Sequence, residues 1–354
     1  MTTRADNWQV EAVHEVLVWD DIVRGDFTRA LPLRLLDAAR VYFDFIATGT
    51  MFRYIAANQR YAIFFLFPIF AVALFAAAGW FAARLLTGFI GLDGVGVVVA
   101  GLVVGIGVFL GLMRWPGRRW RVEQLLDDWI CAHDYLHGRR PDIDARLDSF
   151  TATVVAQART GAADEIVLVG HSLGAMLVLD LLVRALARDP DVGRHGATLC
   201  VLTVGATIPK FALHPRAGEM RRKIARIAAE PSIAWAEYQS RDDTISFYKF
   251  DPVALKRIPD DRLDGKPVIR RVQIHDMLQP ETFARCRRNV LRLHYRSVMA
   301  NDRRAPYDYY LMVNGPVPFA AWTTAPAGVL DFIATDGSYH ERSPGRTAAA
   351  HAPT

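Results

Sequence analysis

The apolar positions of the chain are most concentrated in two long runs within its first third. Residues 62 to 83 and residues 94 to 113 contain no charged side chain. At a rise of about 1.5 Å per residue, each run can cross a hydrocarbon core about 30 Å thick. Because only residues 84 to 93 separate the runs, the pattern predicts a helical hairpin that spans a membrane twice.

The charges beside the two runs predict their orientation in the membrane. Arginines flank the two outer ends of the hairpin, whereas the connection between the runs contains only Arg84. Positive residues near membrane segments favour the cytoplasmic side. The pattern therefore predicts that both chain ends, and any domain they form, are cytoplasmic, with a bacterial inner membrane as the expected location. The flanking residues are Arg53, Arg60, Arg114, Arg118, Arg119 and Arg121.

Beyond the hairpin, the apolar pattern alternates between strand-like and helix-like periods. Short apolar runs bounded by turn residues predict strands, and apolar residues three and four apart predict helices. Such alternation indicates an α/β fold with a mostly parallel sheet covered on both faces. Beyond the hairpin, the predicted strands are 166 to 169, 198 to 204, 233 to 239 and 268 to 274, and the predicted helices are 122 to 136, 143 to 158, 173 to 187 and 281 to 300. Before the hairpin, the pattern predicts one strand, 13 to 19, and one helix, 31 to 47.

Composition is consistent with one large domain carrying this hairpin. The chain has 354 residues, and 52% of them are hydrophobic, which is enough for a sizeable core. Its three cysteines are odd in number and far apart, which argues against a disulfide framework. The predicted organisation is an N-terminal strand and helix of the α/β domain (1–60), the hairpin (61–114), the rest of that domain (115–336) and a disordered tail (337–354).

One sequence motif indicates a candidate catalytic nucleophile. Gly170-His171-Ser172-Leu173-Gly174 lies between a predicted strand and a predicted helix, the setting that a G-x-S-x-G nucleophile turn requires. Glycines on either side allow a tight, strained bend that raises the serine hydroxyl, and the Leu173 N–H at the helix start can stabilise an oxyanion. Ser172 is therefore a candidate nucleophile, with an ordinary N-cap serine as the alternative. We expect His171 to orient the turn.

Two segments around this motif resemble a known family. Residues 165 to 183 resemble the nucleophile elbow of lipase-like α/β-hydrolases, and residues 200 to 213 resemble the strand and loop that follow it in those proteins. The resemblance covers about residues 150 to 315. It implies an α/β-hydrolase fold, interrupted here by the hairpin, and a triad whose members follow in the order Ser, Asp, His.

The resemblance also suggests the acid and the base of that triad. Asp243 precedes Thr-Ile and matches the D-x-V/I pattern of lipases, whereas Asp242 and Asp251 stay open as alternatives. The fold places its histidine after the last strand, and the HYRSVMAND segment resembles that region. His294 is therefore the expected base, and His275 is the alternative.

One part of the expected catalytic apparatus has no evident counterpart. The second oxyanion donor of these proteins usually comes from a loop after an early strand, commonly at a His-Gly pair, and no such pair precedes Ser172. We expect either that N–H groups near Trp19 to Asp21 supply the donor, or that the chain lacks an N-terminal strand present in related proteins.

Together these features predict a membrane-anchored serine hydrolase, similar to lipases and carboxylesterases. The expected partners are the lipid bilayer and a lipid or acyl-ester substrate, with residues 206 to 232 as a cap over the acyl site. No cofactor, metal or nucleic-acid partner is expected, and the sequence predicts no oligomeric state. His133 and His137 are four residues apart, but the Glu of H-E-x-x-H and an evident further ligand are missing.

Two other classes of protein are alternatives to a serine hydrolase. A hydrolase-fold membrane scaffold without catalytic activity is the main alternative. A transporter is disfavoured because the two apolar runs contain no polar pathway for a coupled ion.

Overall fold

The computed structural model describes residues 1–90 and 94–342. It shows an α/β protein with a four-stranded parallel sheet, surrounding helices and two long apolar helices. Residues 343–354, most of the predicted disordered tail, lie outside the described residues. The earlier residues of that tail make contacts, since the Asn7 side-chain amide donates a hydrogen bond of 2.6 Å to the Tyr339 carbonyl.

The elements before the main sheet are mostly helical. In chain order they are β1 (Thr2–Ala5), β2 (Trp8–Glu11), α1 (Asp20–Phe27), α2 (Leu31–Ala47), α3 (Thr50–Ala57), α4 (Gln59–Ile90), α5 (Val95–Leu112), a π-helical turn (Met113–Gly117), α6 (Val122–Leu136) and α7 (Pro141–Thr160).

The later elements alternate strands with helices. They are β3 (Glu165–His171), α8 (Gly174–Arg188), β4 (Thr198–Val204), α9 (Ile208–Ala212), α10 (Gly218–Ala229), β5 (Ile233–Ser240), β6 (Phe250–Asp251), β7 (Lys256–Arg257), β8 (Val268–Val272), α11 (Ile274–Met277), α12 (Pro280–Cys286), α13 (Val290–His294), a 3₁₀ turn (Tyr295–Val298), α14 (Tyr309–Asn314), α15 (Phe319–Thr324) and a second 3₁₀ turn (Gly328–Asp331).

The chain divides into two compact units that do not follow chain order. The helical unit comprises Trp19–Phe52 and Ala62–Arg140. The α/β unit comprises Met1–Val18, Arg53–Tyr61 and the chain from Pro141 onward. The short Arg53–Tyr61 segment thus belongs to the α/β unit, although it runs directly into α4.

Aromatic packing and a buried ion pair stabilise the helical unit. The Phe65 ring lies 4.7 Å from Trp129 and 5.5 Å from Phe45, measured between centroids. Arg34 on α2 donates to Asp127 on α6 at 2.9 Å, and both side chains are buried. A buried charge is tolerated only when it is paired, so this contact fixes α2 against α6.

The two apolar helices confirm the predicted helical runs. Helix α4 and the segment Val95–Gly117 are long and apolar enough to cross a membrane, and the apolar window of the second is 0% buried. The helices approach closely at two glycines, because a Cβ atom on Gly79 would lie 2.4 Å from the Gly105 carbonyl oxygen. Small residues at such crossings allow two backbones to come into contact.

The main sheet has the order β3-β4-β5-β8, and all its neighbours are parallel. Helices α7, α8 and α10 pack together on one side of it, with α8 against β3. On the other side, apolar residues of β4 and β5 share a core with the C-terminal segment that includes Phe319 and Trp322. The predicted parallel sheet, covered on both faces, is confirmed.

The predicted strand at 13 to 19 is wrong. Residues 12 to 19 have no regular secondary structure, and Val13 and Val16 are 97% and 80% exposed. A strand needs neighbours to complete its hydrogen bonds, and no described strand pairs with this segment. The β1–β2 hairpin, which the apolar pattern did not predict, precedes it instead.

The predicted helix at 281 to 300 is also wrong in part, because the structure breaks it into α12, α13 and a 3₁₀ turn. The break follows from Asn289, whose side chain accepts the Arg292 N–H at 3.0 Å and starts a new helix as its N-cap. The last strand also ends early, at Val272, and is followed by the helical turn α11.

The segment at 206 to 232, expected to be a cap, provides the connection between two parallel strands. Helix α10 packs against α8, and Lys223 pairs with Asp180 at 2.9 Å. Met220, Ile224 and Ile227 are buried. Crossover helices of parallel sheets have this position and apolar face, so α10 covers the sheet.

The close approach of α4 and α5 gives a prediction about their glycines. Gly79→Ala places a methyl group against the Gly105 carbonyl, so we expect it to lower the melting temperature in detergent, with a cost of about 1–3 kcal/mol. Gly88→Ala is the matched control on the same helix, because a Cβ there meets nothing within 4 Å. Equal melting temperatures for the two variants would contradict the close contact.

Candidate active site

Ser172 lies on a strained bend where β3 ends and α8 is about to begin. Its φ angle is +56°, a left-handed conformation that a non-glycine residue adopts at a cost on the order of 1–3 kcal/mol. Two hydrogen bonds of 3.3 Å secure the bend: the Ser172 N–H donates to the Val204 carbonyl, and the Thr207 N–H donates to the Ser172 carbonyl. The end of β4 therefore fixes the half-buried serine.

The two glycines of the motif have different roles. A Cβ on Gly170 would lie 2.7 Å from both the Ala175 Cα and the Val178 Cγ1, which is closer than atoms can approach. A Cβ on Gly174 would meet nothing within 4 Å. The expectation that both positions require glycine is therefore wrong for Gly174. Only Gly170, at the end of β3, is packed so closely against α8 that a side chain would not fit.

The structure brings the predicted acid and base into direct contact. Asp243 lies in the loop after β5, and His294 is the last residue of α13. The His294 Nδ1 is 2.7 Å from the Asp243 Oδ2, and each residue is only 3% exposed. The other carboxylate oxygen of Asp243 accepts the Ile245 N–H at 2.9 Å. The pair therefore joins segments that are far apart in the sequence.

The hydrogen bonds around His294 indicate its tautomer. Since a carboxylate only accepts hydrogen bonds, Nδ1 carries the proton and Nε2 carries the lone pair. The Nε2 atom is buried and has no hydrogen-bond partner among the described residues. It is thus a nitrogen able to accept a proton, and the Ser172 hydroxyl does not donate a hydrogen bond to it.

His171 positions the base. Its Nε2 donates to the His294 carbonyl at 3.1 Å, and the two imidazole centroids are 4.3 Å apart. Burial, together with the neighbouring His294, lowers the pKa of His171 to about 4. A neutral ring with a protonated Nε2 is the form that can donate this bond at neutral pH. His171 was expected to orient the turn, and its hydrogen bond to the His294 carbonyl is a contact through which it can also orient His294.

Electrostatics favour an ionised acid next to the imidazole. Burial by itself raises the pKa of Asp243, but the His294 imidazole and the hydrogen bonds from His294 and the Ile245 N–H together lower it below its ordinary value. A carboxylate that stays negative can stabilise a positive imidazolium.

Gly205, directly after β4, is the point where these groups converge. A Cβ there would lie 3.1 Å from the His294 Cε1, 3.2 Å from the His171 Nε2 and 3.3 Å from the Asp243 Oδ2. Its φ is +56°, which also favours glycine. Gly205 lies in the segment 200 to 213, which resembles the corresponding strand and loop of lipase-like hydrolases, but that resemblance did not predict the convergence of these side chains on it.

The alternative candidates for the acid and the base form pairs of their own, separate from the Asp243–His294 pair. Asp242 and His275 pair with each other at 3.1 Å on the surface, and the His275 side chain is 48% exposed. Asp251 is buried, pairs with Arg262 and accepts the Val253 N–H at 2.8 Å. Those contacts stabilise the β6–β7 turn.

The expected oxyanion donor, the Leu173 N–H, lies at the start of α8. The Leu173 N–H donates to no other group in residues 1–90 and 94–342. It precedes a helix of 15 residues, whose N-terminus carries partial positive charge. Asp20 and Asp21, considered for the second donor, begin α1, which lies in the helical unit.

The segment before α4 supports the loop that carries the acid. The Arg60 guanidinium donates to the Arg241 carbonyl at 2.9 Å, and the Asn58 side-chain amide donates to the Ser246 carbonyl at 3.3 Å. The Tyr61 and Phe247 rings are 4.1 Å apart. These contacts bracket Asp243 on both sides, and the sequence gave no indication of them because the partners are distant in the chain.

Comparisons with known proteins add no assignment. No protein-family model, curated protein or solved structure matches the chain.

The packing at the Ser172 bend predicts different effects for substitutions of its two glycines. Gly170→Ala drives a methyl group into α8, so we expect reactivity of Ser172 toward a fluorophosphonate to fall sharply together with the melting temperature. Gly174→Ala, the matched control, leaves both unchanged because its Cβ faces open space. If the two variants behave alike, the bend does not have the packing described.

Proposed function

We propose that the chain is a membrane-anchored serine hydrolase with an α/β-hydrolase fold that cleaves ester bonds. One observation carries the proposal: the buried, unpartnered Nε2 of His294 belongs to an imidazole that Asp243 orients, at the same sheet edge as the strained Ser172. A structural histidine would have its second nitrogen satisfied, because an unpaired buried polar atom costs about 1–3 kcal/mol.

The residues have distinct roles in the proposed reaction. As the Ser172 hydroxyl oxygen bonds to the ester carbonyl carbon, His294 takes the proton of that hydroxyl. The negative oxygen that forms accepts a hydrogen bond from the Leu173 N–H, and Asp243 remains ionised beside the imidazolium. His294 then protonates the leaving alcohol. Water, deprotonated by the same imidazole, then attacks the acyl-serine carbonyl. The bond to the Ser172 oxygen breaks, the imidazolium returns its proton to that oxygen, and the carboxylic acid is released.

The two apolar helices suggest the substrate class. Helices α4 and α5 are proposed to span the membrane with both chain ends in the cytoplasm, since arginines flank the outer ends of the pair. Anchoring keeps the site close to the bilayer, where acyl esters are concentrated. Lipids or other acyl esters are therefore the proposed substrates.

The triad is tested by covalent labelling with a fluorophosphonate probe and by ester hydrolysis. Ser172→Ala should abolish labelling, and Asp243→Asn should slow hydrolysis by about 10⁴-fold because the imidazole loses the partner that fixes its tautomer. His294→Ala should also remove activity. His275→Ala is the matched control and should have no effect, since its Asp242 pair is exposed. Wild-type protein that neither labels nor hydrolyses any ester would favour the non-catalytic scaffold.

The substrate class is tested with esters of increasing acyl length on membranes containing the intact protein. For an acyl-binding site we expect kcat/KM to rise with each added methylene, by at most about fourfold, corresponding to about 0.8 kcal/mol of burial. A profile that is flat with chain length would contradict lipid substrates while leaving the triad intact.

A further inference from the structure

A cluster of possible metal ligands lies in the helical unit. It consists of Asp44 on α2, His133 on α6 and His137, which directly follows the last residue of α6. One ring nitrogen of each histidine and one carboxylate oxygen all lie within 4.8 Å of one another. The His133 Nε2 lies 3.1 Å from the Asp44 Oδ2. Asp44 thus supplies a third ligand. The sequence did not reveal it, because Asp44 lies far before His133 and His137 in the chain.

The surroundings of His137 already orient its ring for binding a metal. His137 follows His133 by four residues, one helical turn, and the two ring centroids are 4.2 Å apart. The His137 Nδ1 donates to the His133 carbonyl at 2.8 Å, which leaves the lone pair on Nε2. Metal-binding histidines usually donate their other N–H to a carbonyl or carboxylate in this way.

The second nitrogen of His133 faces two opposite charges. The Arg139 guanidinium is 2.9 Å from the His133 Nδ1, and the Asp134 carboxylate is 3.6 Å from it. Because arginine can only donate, Nδ1 accepts here, and the Nε2–H donates to Asp44. A metal ion at Nε2 would replace that proton, which moves to Nδ1 and faces Asp134 there, while the Arg139 hydrogen bond to Nδ1 is lost. Arg139 keeps its own hydrogen bonds to Asp134, of 2.9 and 3.0 Å.

We propose that Asp44, His133 and His137 bind one Zn²⁺ ion that links helix α2 to helix α6. Two imidazoles and one carboxylate suit Zn²⁺, whereas Ca²⁺ and Mg²⁺ require oxygen ligands. Three protein ligands leave a fourth tetrahedral position for water. The site lies in a different unit from Ser172, so the proposal does not depend on the proposed hydrolase activity.

The proposal is tested on the full-length protein, purified in detergent without a histidine tag and treated with EDTA. Titration with Zn²⁺ by calorimetry should give one saturable equivalent per chain and a raised melting temperature. Asp44→Ala and His137→Ala should each weaken binding by roughly tenfold or more. Co²⁺ in place of Zn²⁺ should give the visible absorption of a four-coordinate ion, lost in the same variants.

His275→Ala is the matched control, because it removes an exposed histidine that pairs with a different aspartate. It should bind Zn²⁺ as the wild type does. Three results would overturn the proposal: no saturable binding by the wild type, unchanged binding by Asp44→Ala and His137→Ala, or loss of binding in His275→Ala. His133 is not substituted because it is buried, and its loss could unfold the unit.

Discussion

The buried hydrogen bond between Asp243 and His294 determines what the surrounding elements must do. Burying a carboxylate costs several kcal/mol unless partners compensate for lost hydration. Strands β4 and β5 must therefore end side by side, so that one loop presents the acid while the Gly205 backbone leaves room for the imidazole. The helical turn that ends at His294 must in turn reach this edge, which explains why a new helix begins at Asn289.

The parts of the fold that the sequence predicted correctly have strong local signals. Strand β4 is almost wholly apolar because both its faces are covered, so its bounds follow from composition alone. The apolar runs of α4 and α5 are equally distinct. Ser172 stands out through the bend in which it lies, whereas choosing Asp243 and His294 over their neighbours required the likeness to lipase-like hydrolases.

The parts that the sequence did not predict depend on partners far along the chain. Residues 13 to 19 have the composition of a strand, but whether such a segment becomes one depends on an adjacent strand that no local pattern reveals. The contacts that Asn58 and Arg60 make with the acid loop have the same origin, since both side chains would suit any exposed turn. Asp44 likewise becomes notable only when α2 packs against α6.

The unequal packing of the two glycines at the bend bears on how related proteins are to be recognised. Only the glycine before the serine is required by a neighbouring atom, whereas the one after it opens a helix where many side chains fit. A search pattern that demands both will overlook chains with the same architecture. A better criterion combines one glycine, an apolar strand ahead of it and a helix behind it.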